Sequence, residues 1–169
     1  MDGLRIRDAR SDDRGAIEAV TLAAYQQYAV SMRALWEVYR QNIVATLAAA
    51  KPEAQIVAEK AGRMVGAVML VPAGTAMAWS RGGSITLAAP EVRLLAVAPE
   101  ARGGGVGAAL MGECIRRSRQ SGAAAITLHT TEIMEAAMRL YERLGFRHAP
   151  ELDIEPVPGV NVKGFRLGL

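Results

Sequence analysis

The stretch that most limits what this chain can fold into is Arg102-Gly103-Gly104-Gly105-Val106-Gly107, together with its flanks. Before it runs a short apolar segment, Val92-Arg93-Leu94-Leu95-Ala96-Val97, which reads as a strand. After it, Leu110, Met111, Cys114 and Ile115 recur at helical spacing, which predicts a helix over 105–121 closed by Gly122. Strand, glycine-rich turn and helix, in that order, let backbone N–H groups close on a phosphate at a helix N-terminus. Glycine suits such a turn because it takes positive φ and lets the backbone approach a ligand. The chain is therefore expected to bind a phosphorylated cofactor.

Two common owners of such a loop fail on spelling. A nucleotide-hydrolysing phosphate loop needs Lys-Ser/Thr after its last glycine, and here Ala108-Ala109 follows Gly107. A dinucleotide fold carries its glycines after the first strand of the domain, with an acidic residue about 20 positions on. Here the loop follows the fourth or fifth strand, and the downstream position falls in the apolar run of the next strand.

The rest of the chain reads as an α/β domain. Leu4–Arg7 alternates as a first strand, and Ser11 or Asp12 is placed to cap a helix over 16–28. A second helix is expected over 33–50. The runs 55–60 and 64–71 form a hairpin turning at Ala61-Gly62-Arg63. Residues 72–90 read as a loop with a short strand at 84–87. A strand at 91–97, the glycine turn and its helix follow. Then come a strand at 125–129, a helix over 132–144 ended by Gly145, and strands at 146–148 and 162–167.

At 169 residues, 51% apolar and 22% charged, the chain is expected to be one domain, 1–169. A single cysteine, Cys114, excludes an internal disulfide, and its place in an apolar stripe reads as core rather than nucleophile. No run approaches membrane-spanning length and no signal-like segment opens the chain, so a cytoplasmic location is expected, with no membrane partner. The net charge of +3 is scattered. Its densest group, Arg116-Arg117-Ser118-Arg119, reads as cations at a helix C-terminus rather than a nucleic-acid patch.

The segment Leu95 to Gly107 resembles the acetyl-CoA signature of the GNAT superfamily of N-acetyltransferases, Gln/Arg-x-x-Gly-x-Gly/Ala, with Arg102, Gly105 and Gly107 at its fixed positions. A second signature of that family, ending Leu-Tyr-x-x-Leu-Gly-Phe, stands here as Leu140-Tyr141-Glu142-Arg143-Leu144-Gly145-Phe146. The two segments cover roughly 91–148, and the N-terminal half is similar only in its order of elements. The resemblance implies a mixed, largely antiparallel sheet flanked by helices, with a splayed central strand pair that holds coenzyme A. One position departs: where the family often has an Asn contacting the cofactor, seven residues before the tyrosine, this chain has Met134. Methionine offers no amide and reads as helix packing; Thr130 and Thr131 are the nearby substitutes.

The resemblance also implies roles. Acetyl-CoA is the co-substrate and no metal is required. Amides of Arg102, Gly103, Gly104, Gly105, Val106 and Gly107 hold the pyrophosphate, while the backbone of Leu95, Ala96 and Val97 pairs with the pantetheine arm and polarises the thioester carbonyl. Tyr141 is the candidate general acid for the leaving thiolate. Glu91 is the first candidate for the base that takes the ammonium proton, and His129 the second. The acceptor, a small-molecule or peptide amine, is expected against Tyr25, Tyr28, Trp36, Tyr39 and Trp79. No acidic cluster asks for a polycationic acceptor. The oligomeric state stays open, with a homodimer among the options. The competing reading is an acyl-CoA-binding sensor without turnover, which Met134 favours and Tyr141 opposes.

Overall fold

The structure, a computed structural model, describes residues 3–78 and 84–169. They fall into two compact units, Met1–Met69 with Leu94–Glu113, and Leu70–Arg93 with Cys114–Leu169. In the first, β1 (Leu4–Asp8) runs antiparallel to β2 (Gln55–Lys60), and β2 to β3 (Arg63–Val71). The expected hairpin turns on Ala61 and Gly62, both at positive φ (49° and 73°), as a two-residue turn between right-twisted strands requires. Gln55 to Ala58 are all buried, so β2 is covered on both faces along this stretch rather than on alternate residues.

The first helix, α1 (Arg14–Tyr25), buries Ile17, Val20, Thr21 and Ala24 and packs on α3 (Trp36–Ala49), which buries Ile43 and Leu47. Its entry differs from expectation. Ser11 and Asp12 lie in a 3-10 turn, and Asp13 organises the N-terminus, accepting the Arg10 N–H at 2.7 Å and the Arg7 guanidinium at 2.6 and 3.0 Å. Arg7 also pairs with Glu59. The region between the helices is broken too. Two 3-10 turns flank a four-residue helix, α2 (Ala29–Met32), and Arg33 takes φ 50°. None of residues 26–35 is buried, so no apolar stripe holds them in one continuous helix.

Gly66 sets the spacing of this unit. A Cβ there would meet the Ala96 carbonyl oxygen at 2.9 Å, Val106 Cγ1 at 3.0 Å and Leu110 Cδ1 at 3.1 Å. The start of α4 (Val106–Gln120) thus lies close over β3 and over the end of β6 (Glu91–Val97).

In the second unit β7 (Ala125–Thr130) pairs in parallel with β6 and antiparallel with β9 (Lys163–Gly168), whose other edge carries β8 (Arg147–His148). A separate ladder joins β4 (Ala76–Ala78) to β5 (Ser84–Thr86); β4 falls in what the sequence reads as loop. The helix α5 (Glu135–Arg143) is shorter than the expected 132–144. Its end is made as predicted: Gly145 N–H donates to Glu142 and Phe146 N–H to Tyr141. Among the described residues the main sheet runs β1-β2-β3-β6-β7-β9-β8, with β6 and β7 its parallel pair. It is the mixed, largely antiparallel α/β architecture expected.

Candidate active site

The glycine loop follows the end of β6. A 3-10 turn at Pro99–Ala101 leads to Arg102, and α4 begins at Val106. Gly103 and Gly105 take φ 76° and 80°, where any L side chain is strained. Arg102 to Gly105 are exposed and Val106 is buried, which anchors the first turn of the helix. The first N–H groups of an α-helix have no partner inside it, so the loop opens onto unsatisfied donors at the positive end of the dipole. The Arg102 side chain is engaged within the protein. Its guanidinium donates to the Ala24 carbonyl at 3.0 Å and Gln27 Oε1 at 3.2 Å, closing the C-terminal end of α1.

Within β6, Leu94 sits at φ 51°, a left-handed conformation that costs a leucine about 1–2 kcal/mol. The parallel ladder to β7 joins Glu91 to Thr127 and Val92 to Leu128, ahead of this residue. Such local breaks in a strand redirect its side chains and backbone groups. Leu95 and Val97 are half-buried and Ala96 is buried, and Ala98 N–H donates to the Val65 carbonyl at 2.9 Å.

Glu91 is 7% exposed. It stands opposite Thr127, so His129, two residues further along β7, projects from the same sheet face. The structure brings these two candidates together: Glu91 Oε2 is 3.3 Å from His129 Nδ1. Arg93, next on that face, holds its Nε 3.9 Å from Glu91 Oε1. His129 Nε2 donates to the Leu152 carbonyl at 2.8 Å. Burial alone would lower the imidazole pKa, but the Glu91 hydrogen bond and charge and the Leu152 carbonyl outweigh it and raise it above 6.5.

Tyr141 is buried on α5, its ring 6.0 Å from that of Phe146. The Leu-Gly-Phe spelling has a structural cause here: the turn at Gly145 folds Phe146, fully buried, back against Tyr141. Met134 is buried at the N-cap of α5 and offers no side-chain cap, in keeping with a packing role. Just before it, the Thr130 and Thr131 hydroxyls are buried without a hydrogen-bond partner, and Thr130 is only 3% exposed. Buried hydroxyls left this way fit a polar ligand that completes them.

Four aromatic rings line up in the first unit. Tyr25 lies 5.9 Å from Tyr28 and 6.0 Å from Tyr39, and Trp36 is 6.4 Å from Tyr39. Burial raises the Tyr28 phenol pKa against the opposing charge of Arg102. Trp79 lies outside the described residues. Cys114 is fully buried, as its stripe position implies. Among the described residues no group of three or more His, Cys, Asp or Glu is placed to hold a metal ion, and no helix is long and apolar enough to cross a membrane. Sequence reasoning missed Arg93, the Leu152 carbonyl and Gly164, the residue paired with His129 across β9.

Residues 17–146 match the family model described as the acetyltransferase (GNAT) family. No curated protein matches the sequence. Solved structures share the fold. PaiA N-acetyltransferase from Thermoplasma acidophilum, in complex with coenzyme A, is 12% identical over 99% of both chains, with a TM-score of 0.71. Ribosomal-protein-alanine N-acetyltransferase from Brucella melitensis is 21% identical over 98% of this chain and 99% of its own, with a TM-score of 0.63. A longer chain from Pyrococcus horikoshii is 16% identical with a TM-score of 0.63; 88% of the present chain aligns and spans 45% of that one.

Proposed function

Because the chain belongs to the acetyltransferase (GNAT) family, we propose that it moves an acetyl group from acetyl-CoA to a primary amine of a small molecule or peptide by direct attack in a ternary complex. The observation that carries this reading is the loop of exposed, positive-φ glycines at the N-terminus of α4, in a chain that also buries Glu91 and Tyr141. The family match runs through both compact units, which supports one catalytic domain over 1–169.

Bound acetyl-CoA supplies the thioester whose carbonyl carbon the amine attacks. Amides of the Arg102 to Gly107 loop hold the pyrophosphate, and the helix dipole adds to their attraction. Backbone groups of Leu95 to Val97 hold the pantetheine arm, and an N–H there polarises the carbonyl. Glu91 takes the proton that the ammonium must lose before it can attack. As the C–S bond breaks, Tyr141 donates its phenolic proton to the departing sulfur; the attacking nitrogen gives up its surplus proton to solvent, and the phenolate regains one from solvent. The Thr130 and Thr131 hydroxyls contact the cofactor where Met134 offers no amide. The rings of Tyr25, Tyr28, Trp36 and Tyr39 form part of the acceptor wall.

The test is an acetylation screen: acetyl-CoA with tyramine, spermidine, an aminoglycoside and a peptide with an unblocked N-terminus, read as CoA thiol released. Amine-dependent release with an N-acetylated product is expected. CoA binding without turnover across the panel would shift the reading to an acyl-CoA sensor. Failure of millimolar CoA to raise the melting temperature would refute both.

A further inference from the structure

His129 has both ring nitrogens committed. Nε2 lies 2.8 Å from the Leu152 carbonyl oxygen, which can only accept, so Nε2 carries a hydrogen and donates. Nδ1 lies 3.3 Å from the Glu91 carboxylate. A neutral imidazole has one N–H; spent on Leu152, it leaves a lone pair at Nδ1 facing a carboxylate oxygen. A protonated ring removes that conflict by donating to both. On its other side the Glu91 carboxylate faces a second cation, Arg93, whose Nε stands 3.9 Å from Oε1. Neither ring nitrogen is left to take a proton from an amine.

We propose that His129 is a positioning residue: held as an imidazolium between the Leu152 carbonyl and Glu91, it keeps the Glu91 carboxylate aimed while Glu91 alone accepts the ammonium proton. This rests on the reading of Glu91 as base. In the step, R–NH3+ gives one proton to the Glu91 carboxylate, the amine is freed to attack, and the Glu91–His129 pair goes from neutral to +1 until Glu91 releases the proton to water.

Gly164 makes the arrangement sterically feasible. It stands opposite His129 in the β7–β9 ladder, and a Cβ there would lie 2.3 Å from Leu152 Cβ and 3.0 Å from the Leu152 oxygen. Only glycine lets the Leu152 main chain cross β9 at that point. The charged groups acting on the ring are Glu91, which favours its cation, and Arg93, which disfavours it. On β9, Lys163 and Arg166 are drawn to Glu132 and Glu151.

With two histidines in the chain, ring NMR titration tests the pair directly, a His148→Asn variant providing the assignment. The His129 midpoint is expected above 6.5 in the wild type and lower in Glu91→Gln, where burial acts without the carboxylate. A wild-type midpoint at or below 6.5, or one unmoved by Glu91→Gln, overturns the pairing. Kinetics with acetyl-CoA and the fastest amine of the screen test the positioning. His129→Ala should lower kcat about tenfold with the acetyl-CoA KM nearly unchanged. His129→Asn, whose amide can still donate to Glu91, should recover part of the loss. Glu91→Gln combined with His129→Ala should be no slower than Glu91→Gln alone. Additive losses, or wild-type kcat in His129→Ala, overturn the proposal. Wild-type turnover in Glu91→Gln removes Glu91 as the base, and the positioning role with it, while the titration still reports the ion pair.

Discussion

Replacing Gly66 by alanine should destabilise the protein and weaken acetyl-CoA binding, whereas the same replacement at Gly112 should stabilise it. At Gly66 the new methyl would sit 2.9 Å from the Ala96 carbonyl oxygen, 3.0 Å from Val106 Cγ1 and 3.1 Å from Leu110 Cδ1. Carbon atoms settle about 3.5–4.0 Å apart, so both side-chain methyls must retreat by about half an ångström. They have no slack, because Ala96, Val106 and Leu110 are all buried. Overpacking of this kind costs about 1–3 kcal/mol. The reduced freedom of the unfolded chain offsets about 0.4–1 kcal/mol, which leaves a net loss of about 1–2 kcal/mol. For a chain of this size that lowers Tm by about 2–8 °C. Gly112 is an exposed position in α4 where a Cβ meets nothing within 4 Å, so alanine there should gain about 0.5–1 kcal/mol from helix propensity. Urea denaturation of both variants, compared by midpoint at constant m, gives the signs. Ala96 and Val106 lie on the segment proposed to hold the cofactor, so the acetyl-CoA KM should rise in Gly66→Ala and not in Gly112→Ala. If the two variants shift stability in the same direction, the close approach of α4 to β3 is not what Gly66 provides, and the reasoning fails.

Tyr141→Phe keeps the packing against Phe146 and removes the proton donor; kcat should fall about tenfold or more with the acetyl-CoA KM nearly unchanged, and an unaffected kcat would assign protonation of the thiolate to another group. Thr130→Val removes a buried hydroxyl that has no partner in the protein. Its urea midpoint should stay level or rise while the acetyl-CoA KM increases, and an unchanged KM would leave that hydroxyl no part in binding. Arg7 holds the Asp13 carboxyl down to a pKa of about 2, against 3.8 ordinarily. A depressed carboxyl stabilises the fold above its unfolded pKa, and that contribution fades as pH falls from about 3.8 towards 2. Asp13→Asn should therefore cost about 1–2 kcal/mol at pH 7, after allowance for solvent screening, and almost nothing near pH 2. Equal losses at both pH values would exclude the ion pair as the source.

How much of this was legible in the sequence depends on what each residue contributes. The hairpin at Ala61-Gly62, the stop at Gly145 and the apolar stripe of α4 were readable because periodicity and turn chemistry are local. The break at Arg33 was not, since it arises from ten residues that bury nothing, and burial is a tertiary fact. Residue type points to Ser11 or Asp12 as the cap, but the carboxylate that takes the Arg10 N–H and the Arg7 guanidinium is that of Asp13, a partnership set by a strand six residues away. The site divides in the same way. In the sequence Glu91 and His129 stand as separate candidates for one job, because nothing in their spacing shows that the β6–β7 register sets them on one face, 3.3 Å apart. Once paired they cannot both be the base, and the choice between them falls to Leu152, which contributes a carbonyl oxygen that any residue would supply. A main-chain atom has no spelling. The trace it leaves is Gly164, a glycine inside a strand, where a Cβ would come 2.3 Å from that of Leu152. That glycine acquires meaning only from the ladder that sets it opposite His129, so the Leu152 carbonyl proposed to fix the role of His129 leaves only a glycine as its trace in the sequence, intelligible in the fold alone.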